Sequence, residues 1–337
     1  MPLSNSARAA LAACCLAPAA AAGPPPLPFA PTAAPWLTAG GCDGACDVTA
    51  AGNARVRRGT LFDWGGRAEP GAGGPDLEGP LVTDRPDFTE AASAVGAGVA
   101  QVEFGYTFTA DDGGADGRTR THSIGEPLLR LGAGADWLEL RFAWNYAAET
   151  TGVGAAAGTP RDTADGGEDV YLGAKIALTP QAGWLPETAV IPQMTVPTGG
   201  DAFTADRVLP GANLVYAWEL TDRLATGGST QVNAVVAGLA PVPVPGTGVN
   251  VGADDAFAEL AQSWTVAGSV TDRVGAYAEY FAFFPLDAPG EADEHYLNGG
   301  FTYLLSDDVQ YDARAGFGLN GAADDFFAGT GLSVRFR

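Results

Sequence analysis

Apolar and polar side chains alternate along most of this chain, and the alternation reaches its C-terminal end. There, Leu332, Val334 and Phe336 share one parity, whereas Ser333 and Arg335 share the other. A period of two predicts a β-strand, because successive side chains of a strand point to opposite faces of the sheet. An aromatic residue in the next-to-last position is typical of the closing strand of a bacterial outer-membrane β-barrel.

The same period recurs in segments covering residues 101–109, 137–146, 170–178 and 309–317. In the second of these, Leu140, Phe142 and Trp144 alternate with Glu139 and Arg141. A membrane barrel turns its apolar face to lipid and its polar face to the lumen, whereas a soluble β-sandwich buries the apolar face as its core. Alternation alone therefore leaves both folds open.

The connections between these segments alternate in length, which favours the barrel. Short connections lie at 134–136, 180–183, 221–223, 271–273 and 306–308. The intervening ones are longer and rich in Gly, Pro and Asp, at 110–119, 148–167, 198–209, 238–255 and 286–294. The sequence therefore predicts an all-β fold, a transmembrane antiparallel up-and-down β-barrel of about twelve strands of roughly ten residues each, with both termini in the periplasm.

Three regions are predicted along the chain. Residues 1–23 contain Arg8, a short apolar run and small residues, a pattern typical of a secretion signal peptide, with a lipoprotein signal modified at Cys14 as the alternative. Residues 24–95 are dominated by Pro, Gly and Ala and are predicted to be an irregular periplasmic extension. Residues 96–337 are predicted to form the barrel in the bacterial outer membrane.

The end of the extension is rich in charge. Asp84, Arg85, Asp87 and Glu90 lie within residues 81–90, and this density of charge is too high for a segment embedded in lipid. The segment either runs just below the barrel mouth or folds into the barrel as a partial plug.

Composition and charge exclude several classes of function. Apart from the Ala-rich start, no stretch of about twenty residues is apolar enough for a membrane helix. The net charge is -22 and Lys175 is the only lysine, so we expect no nucleic-acid partner. The acidic loops are either simply solvated or hold divalent cations that bridge lipopolysaccharide, which together with outer-membrane lipid is the expected surrounding of the barrel.

Two cysteines are expected to remain after removal of the signal, Cys42 and Cys46. A pair with this spacing and no nearby His is too small a ligand set for a structural zinc site. In the oxidising periplasm a local disulfide is the better prediction, and no cofactor is implied.

The inward parity of the barrel should carry its function. The charged candidates for lining the lumen are Glu103, Glu139, Arg141, Asp169, Lys175, Glu219, Glu259, Glu279, Asp312, Arg314 and Arg335. A lumen of about twelve strands is only modestly wider than one that side chains fill, so these groups either pair across strands or form a selectivity constriction. Glu139 with Arg141 is one such pair, and Asp312 with Arg314 is another.

Lys175 has two interpretations. It is either a dedicated cation of the lumen or the ion-pair partner of a carboxylate on its own face, such as Asp169.

One predicted strand carries aromatic residues on the inward parity. Phe281 and Phe283 share the parity of Glu279, which predicts an aromatic track for solutes. The alternative is an inverted register in which Tyr280 and Phe284 face inward.

The sequence favours a function other than catalysis. His122 and His295 are the only histidines, and Ser123 next to His122 lies on the opposite face of a strand. No nucleophile-elbow motif is present, so we expect no enzyme. An outer-membrane barrel enzyme of the lipid-hydrolase type and a sealed structural or adhesion barrel stay as alternatives.

Six motifs in order resemble one known family. They are TDRPDFTE at 83–90, QVEFGY at 101–106, GEDVYLGAK at 167–175, VPTG at 196–199, DARAGFGLN at 312–320 and GLSVRF at 331–336. Together they resemble the outer-membrane barrel family named for a MetA pathway of phenol degradation, over residues 81–337. The resemblance implies a channel for passive or facilitated diffusion of small molecules, aromatic or hydrophobic ones among them. Neither the substrate nor the oligomeric state follows from the sequence.

Overall fold

The computed structural model describes residues 59–65, 67, 73–112, 118–153, 161–236, 256–286, 288 and 291–337. The predicted signal peptide and the predicted disulfide between Cys42 and Cys46 lie outside these ranges, so both stay predictions. Within the described ranges, no helix is long and apolar enough to cross a membrane.

The described residues form fourteen β-strands. They are β1 (Ala100–Asp111), β2 (Arg118–Gly132), β3 (Leu138–Ala143), β4 (Tyr146–Val153), β5 (Asp162–Gly167), β6 (Val170–Thr179), β7 (Glu187–Val196), β8 (Leu209–Thr221), β9 (Leu224–Val236), β10 (Ala256–Ser269), β11 (Val274–Leu286), β12 (Glu294–Ser306), β13 (Val309–Gly318) and β14 (Phe326–Phe336).

These strands close into an antiparallel barrel. The strand β1 pairs with β2 on one side and with β14 on the other, so no edge is left open. Both β3 and β4 pair with β2, and they are two parts of one wall strand interrupted at residues 144–145. The strands β5 and β6 are related in the same way, so the wall contains twelve strand positions, which confirms the predicted fold.

The connections lie as predicted, with one exception. Short turns join β2 to β3, β6 to β7, β8 to β9, β10 to β11 and β12 to β13, all at the end of the barrel that holds the C-terminus. The predicted loop at 148–167 is wrong, because β4 and β5 pair there as a hairpin that extends the wall. Its β-branched residues Thr150 and Thr163 face each other across the pair, and β4 also completes the free half of β2.

The two faces of the wall differ in chemistry. Large apolar side chains face outward and are exposed, such as Phe104 at 45% and Phe142 at 42%. Their neighbours in sequence, Glu103 and Arg141, point inward and are 0% exposed. A soluble sandwich would show the opposite arrangement, so that alternative is wrong. An apolar exterior on a closed sheet suits lipid, and the fold is that of a protein of the bacterial outer membrane.

Candidate functional site

The lumen of the barrel is occupied by the chain's own residues 81–95, which we call the luminal segment. It begins at the short-turn end, where the Leu81 amide donates to the Asp307 carbonyl over 2.7 Å. It ends with the Val95 amide donating to Glu139 on β3 over 3.0 Å. Of the two positions considered for this segment, the structure shows the plug.

The middle of the luminal segment is a closed loop. The Ala91 amide donates to Oδ1 of Asp84 over 2.9 Å, so a single side chain joins the two ends of residues 84–91. Ala92 then packs into an apolar cluster that includes Ile191 and Val215 on the β7–β8 wall. The segment contains no strand or helix, so side chains of the wall must supply partners for its buried backbone groups.

Wall carboxylates bind backbone amides of this loop. Glu103 on β1 accepts from the amides of Asp84 and Arg85 at 3.0–3.2 Å. On the β11 wall, Glu279 accepts from the amides of Phe88 and Thr89, both at 2.7 Å. The loop is therefore held at two places by charge-assisted hydrogen bonds, which are stronger than neutral ones.

Wall cations bind carboxylates of the same loop. Lys175 on β6 lies 2.7 Å from Asp84, and Arg141 on β3 lies 2.5 Å from it. Arg130 on β2 lies 3.3 Å from the same carboxylate. Arg141 also pairs with Glu90 at 2.5 Å. We call Arg130, Arg141 and Lys175 the basic cluster.

The side chain of Arg85 fixes the loop to the β1–β14 wall. Its guanidinium pairs with Glu126 at 2.6 Å and with Asp312 at 3.4 Å. It fits there because Gly105 on β1 and Gly331 on β14 have no side chain, and a Cβ at either position would overlap the guanidinium.

An aromatic cluster holds the tip of the loop. The ring of Phe88 stacks on Phe281 with centroids 4.8 Å apart and meets Phe283 edge-on at 5.6 Å. Phe281 in turn stacks on Tyr296 at 4.7 Å. Phe281 and Phe283 face inward as the strand parity predicts, and the inverted register is wrong because Tyr280 lies outside with 37% exposure.

Solvent is almost completely excluded from the lumen at the level of the loop. Lys175 on β6, Ser263 on β10 and Asp312 on β13 are each 0% exposed although they belong to different sides of the wall. The luminal segment therefore closes the barrel in this conformation.

Most predicted lumen-lining residues contact the luminal segment or the residues just before it. Those that form a hydrogen bond or ion pair with residues 76–95 are Glu103, Glu139, Arg141, Lys175, Glu279, Asp312, Arg314 and Arg335.

The remaining three candidates lie elsewhere. Asp169 accepts from the backbone amides of Thr198 and Ala205 and orders the loop after β7. Glu219 is half-buried at the short-turn end of β8, and Glu259 is half-buried near the start of β10.

Two predicted ion pairs need correction. Lys175 pairs with Asp84 of the luminal segment, and the carboxylate of Asp169 instead binds loop amides. Asp312 forms its ion pair with Arg85, while Arg314 donates to the Pro86 carbonyl over 2.7 Å. Both corrections have the same physical cause, because the loop brings charges that same-face pairing ignored.

Sequence reasoning missed Arg130, although a signal for it exists. Arg130 stands between Leu129 and Leu131, which is the alternation of a barrel strand with a charge on the inward parity. Its role as a partner of Glu103 and Glu139 could not be inferred from this pattern, since strand register was not known.

Both histidines lie on the outer face of the wall. Nδ1 of His122 is 2.8 Å from the Tyr106 hydroxyl, and Nδ1 of His295 is 2.7 Å from the Tyr280 hydroxyl. These cross-strand pairs of polar aromatic rings suit the membrane interface. Among the described residues, no group of His, Cys, Asp or Glu side chains has an arrangement that could hold a metal ion.

Comparisons with known proteins agree with this architecture. A family model described as "Putative MetA-pathway of phenol degradation" matches residues 83–336. The COG4313 outer membrane channel from Pseudomonas putida F1 superposes with a TM-score of 0.55 at 14% identity, over 74% of this chain and 99% of that chain. The likeness to that channel shows a shared fold.

Two further solved structures are more distant. The transport unit of the autotransporter AIDA-I from Escherichia coli gives a TM-score of 0.45 at 9% identity, over 71% of this chain and 89% of that chain. The CymD monoaromatic hydrocarbon channel gives 0.37 at 11%, over 71% and 88%. No curated protein matches the sequence.

Proposed function

This chain belongs to the family described as "Putative MetA-pathway of phenol degradation", and from that premise we propose that it is an outer-membrane channel for small molecules. In this proposal, solutes pass by passive or facilitated diffusion, and the luminal segment is the gate. The barrel is closed while the segment is bound and conducts when the segment leaves the lumen.

One observation carries the proposal: the lumen is filled by a separate segment and not by side chains of the wall alone. A barrel of about eight strands can be filled by its own side chains, whereas a larger barrel encloses space for a ligand or a channel. Here that space is filled by residues 81–95, which only noncovalent contacts hold to the wall among the described residues. Such contacts break and re-form on the timescale of gating.

Aromatic solutes are a substrate class that the lumen suits. When Phe88 leaves, the face of Phe281 that it covers becomes free, beside the edge of Phe283. Ring pairs of this kind contribute about 0.5–1.5 kcal/mol beyond the burial of their area. An aromatic solute would gain the same contacts that Phe88 makes in the closed barrel.

The hydrolase alternative has less support. A hydrolase needs a histidine beside a nucleophile in a site that substrate can enter. His122 and His295 instead pair with tyrosine hydroxyls on the outer face of the barrel wall. This arrangement supports a role at the lipid interface and favours transport as the function.

Single-channel recording in a planar bilayer tests the proposal. We expect the wild-type protein to show brief openings from a closed baseline. The Arg85→Gln variant should stay open longer, because it removes the ion pairs of the loop with Glu126 and Asp312. Arg223→Gln is the matched control, since Arg223 lies exposed in the short turn between β8 and β9.

The opposite outcome would be a protein that inserts but conducts nothing, in the wild type and in Arg85→Gln alike. That result would support the sealed structural barrel instead of the channel.

A further inference from the structure

The carboxylate of Asp84 is bound in the way a carboxylate ligand is bound. Its Oδ1 accepts from Nζ of Lys175 over 2.7 Å. Its Oδ2 lies 2.5 Å from Nη1 of Arg141 and 3.3 Å from Nε of Arg130. Each oxygen therefore faces wall cations of its own, and the three cations come from three neighbouring strands.

The two arginines are held in position without the loop. Glu139 on β3 accepts from Nε of Arg130 over 2.8 Å and from its Nη2 over 3.0 Å, a two-pronged contact that fixes the plane of the guanidinium. Glu139 also accepts from Nη1 of Arg141 over 3.1 Å. Glu103 on β1 adds a further contact to Arg130 at 3.1 Å. The wall therefore keeps both guanidinium groups in place when the luminal segment leaves.

The wall has a surplus of positive charge once the loop is gone. Departure of the loop removes Asp84 and Glu90, and the basic cluster then faces only the wall carboxylates Glu103 and Glu139. Arg141 has donor capacity to spare even in the closed state, because its buried Nε lacks a hydrogen-bond partner among the described residues. An anion in the open lumen would satisfy both the charge and this donor.

We propose that the basic cluster of Arg130, Arg141 and Lys175 is a binding site for the carboxylate of an organic acid in transit, and that Asp84 occupies it as an internal ligand when the barrel is closed. The inference rests on the proposed function and names its substrate class. Together with the aromatic site beneath Phe88, it assigns aromatic carboxylates as solutes that meet both kinds of site in turn. An incoming carboxylate competes with Asp84, so the solute favours its own open channel.

Isothermal titration calorimetry with sodium benzoate on the full-length protein in detergent tests this proposal. An internal ligand lowers the apparent affinity for an external one, since only the fraction of molecules with a free site can bind. Asp84→Asn removes the competing charge and leaves the cluster intact, so we expect benzoate to bind about tenfold or more tightly than to the wild type. Asp222→Asn, in an exposed short turn, is the matched control and should behave as the wild type.

A second pair of variants separates loss of the site from loss of the fold. Asp84→Asn combined with Lys175→Met removes one charge of each sign, so no uncompensated charge is left buried. We expect this double variant to lose the gain in benzoate binding while its barrel still migrates as a folded species on an unheated gel. If Asp84→Asn fails to fold, Glu90→Gln replaces it, because it removes the other carboxylate from Arg141.

Two further ligands define the chemistry. Benzyl alcohol has the ring without the charge, and inorganic phosphate has the charge without the carboxylate plane. We expect neither to bind Asp84→Asn more tightly than the wild type. The proposal is overturned if benzoate gains nothing from Asp84→Asn, if the gain survives Lys175→Met, or if phosphate shows the same gain.

Failure here is distinct from failure of the channel. Conductance that responds to Arg85→Gln without the predicted benzoate pattern refutes the carboxylate site alone. The predicted benzoate pattern in a protein that never conducts refutes the channel alone.

Discussion

Truncating the aromatic side chain at the tip of the luminal segment should open the barrel. Phe88 is 7% exposed, stacks on Phe281 at 4.8 Å and meets Phe283 at 5.6 Å. Phe88→Ala removes both ring contacts, and truncation of a buried phenylalanine costs about 3–5 kcal/mol. The barrel wall keeps its own hydrogen bonds, so we expect most of this loss to fall on docking of the loop. A loss of about 3 kcal/mol raises the ratio of undocked to docked loop roughly a hundredfold.

Two measurements follow the docking of the loop in this variant. The first is open probability in a planar bilayer, which should rise steeply in Phe88→Ala. The second is labelling of a cysteine placed at Thr89, which is 1% exposed, with a water-soluble maleimide in a background whose four native cysteines are serine. We expect slow labelling when Phe88 is present and fast labelling in Phe88→Ala.

The matched control is Phe301→Ala, which removes the same side chain from the outer face, where Phe301 is 39% exposed. It should change neither open probability nor labelling. Equal behaviour of Phe88→Ala and Phe301→Ala in both assays would refute the argument that the aromatic cluster holds the gate closed.

Two more predictions concern the wall and the outer loops. A Cβ in Gly105→Ala would overlap the Arg85 guanidinium, so this variant should weaken the closed state by about 1–3 kcal/mol and lengthen openings in bilayer recordings, whereas Gly268→Ala meets its nearest atom at 3.4 Å and should not. Burial, and then the nearby carboxylate of Glu294, raises the pKa of Asp324 well above its usual range. The packed loop thus binds this proton more tightly than the free loop, so packing is strongest at low pH and weakens as pH rises through the raised pKa. Hydrogen exchange of the loop amides, corrected for intrinsic rates, should show that trend in the wild type and lose it in Asp324→Asn.

The wall of this barrel was predictable from local pattern. Inward Glu139 and Arg141 and outward Phe142 follow directly from a period of two, because side chains of a strand alternate between faces whatever their partners are. The hairpin of β4 and β5 was missed, since its polar and Gly-rich sequence resembles a loop and only pairing with β2 makes it a strand.

The contents of the lumen were not predictable in the same way. Arg85 and Asp312 pair across 227 positions of sequence, and Arg141 and Asp84 across 57. Pairs at such separations depend on closure of the barrel and on the path of the loop, and neither is encoded in a local pattern. The sequence signal was the density of charge itself, because so many charges in one short segment require partners wherever the segment lies.

A reversible lock of the loop tests the central claim most directly. The hydroxyl oxygens of Thr89 on the loop and Ser263 on β10 lie 2.6 Å apart, close to the roughly 2.05 Å of a disulfide bond. Thr89→Cys with Ser263→Cys, in a background free of native cysteines, should therefore join the loop to the wall when oxidised. If the luminal segment is the gate, single-channel openings disappear on oxidation and return on reduction, while the single Thr89→Cys variant conducts under both conditions. Unchanged conductance in the fully oxidised double variant would contradict the claim that solutes pass where the loop is bound.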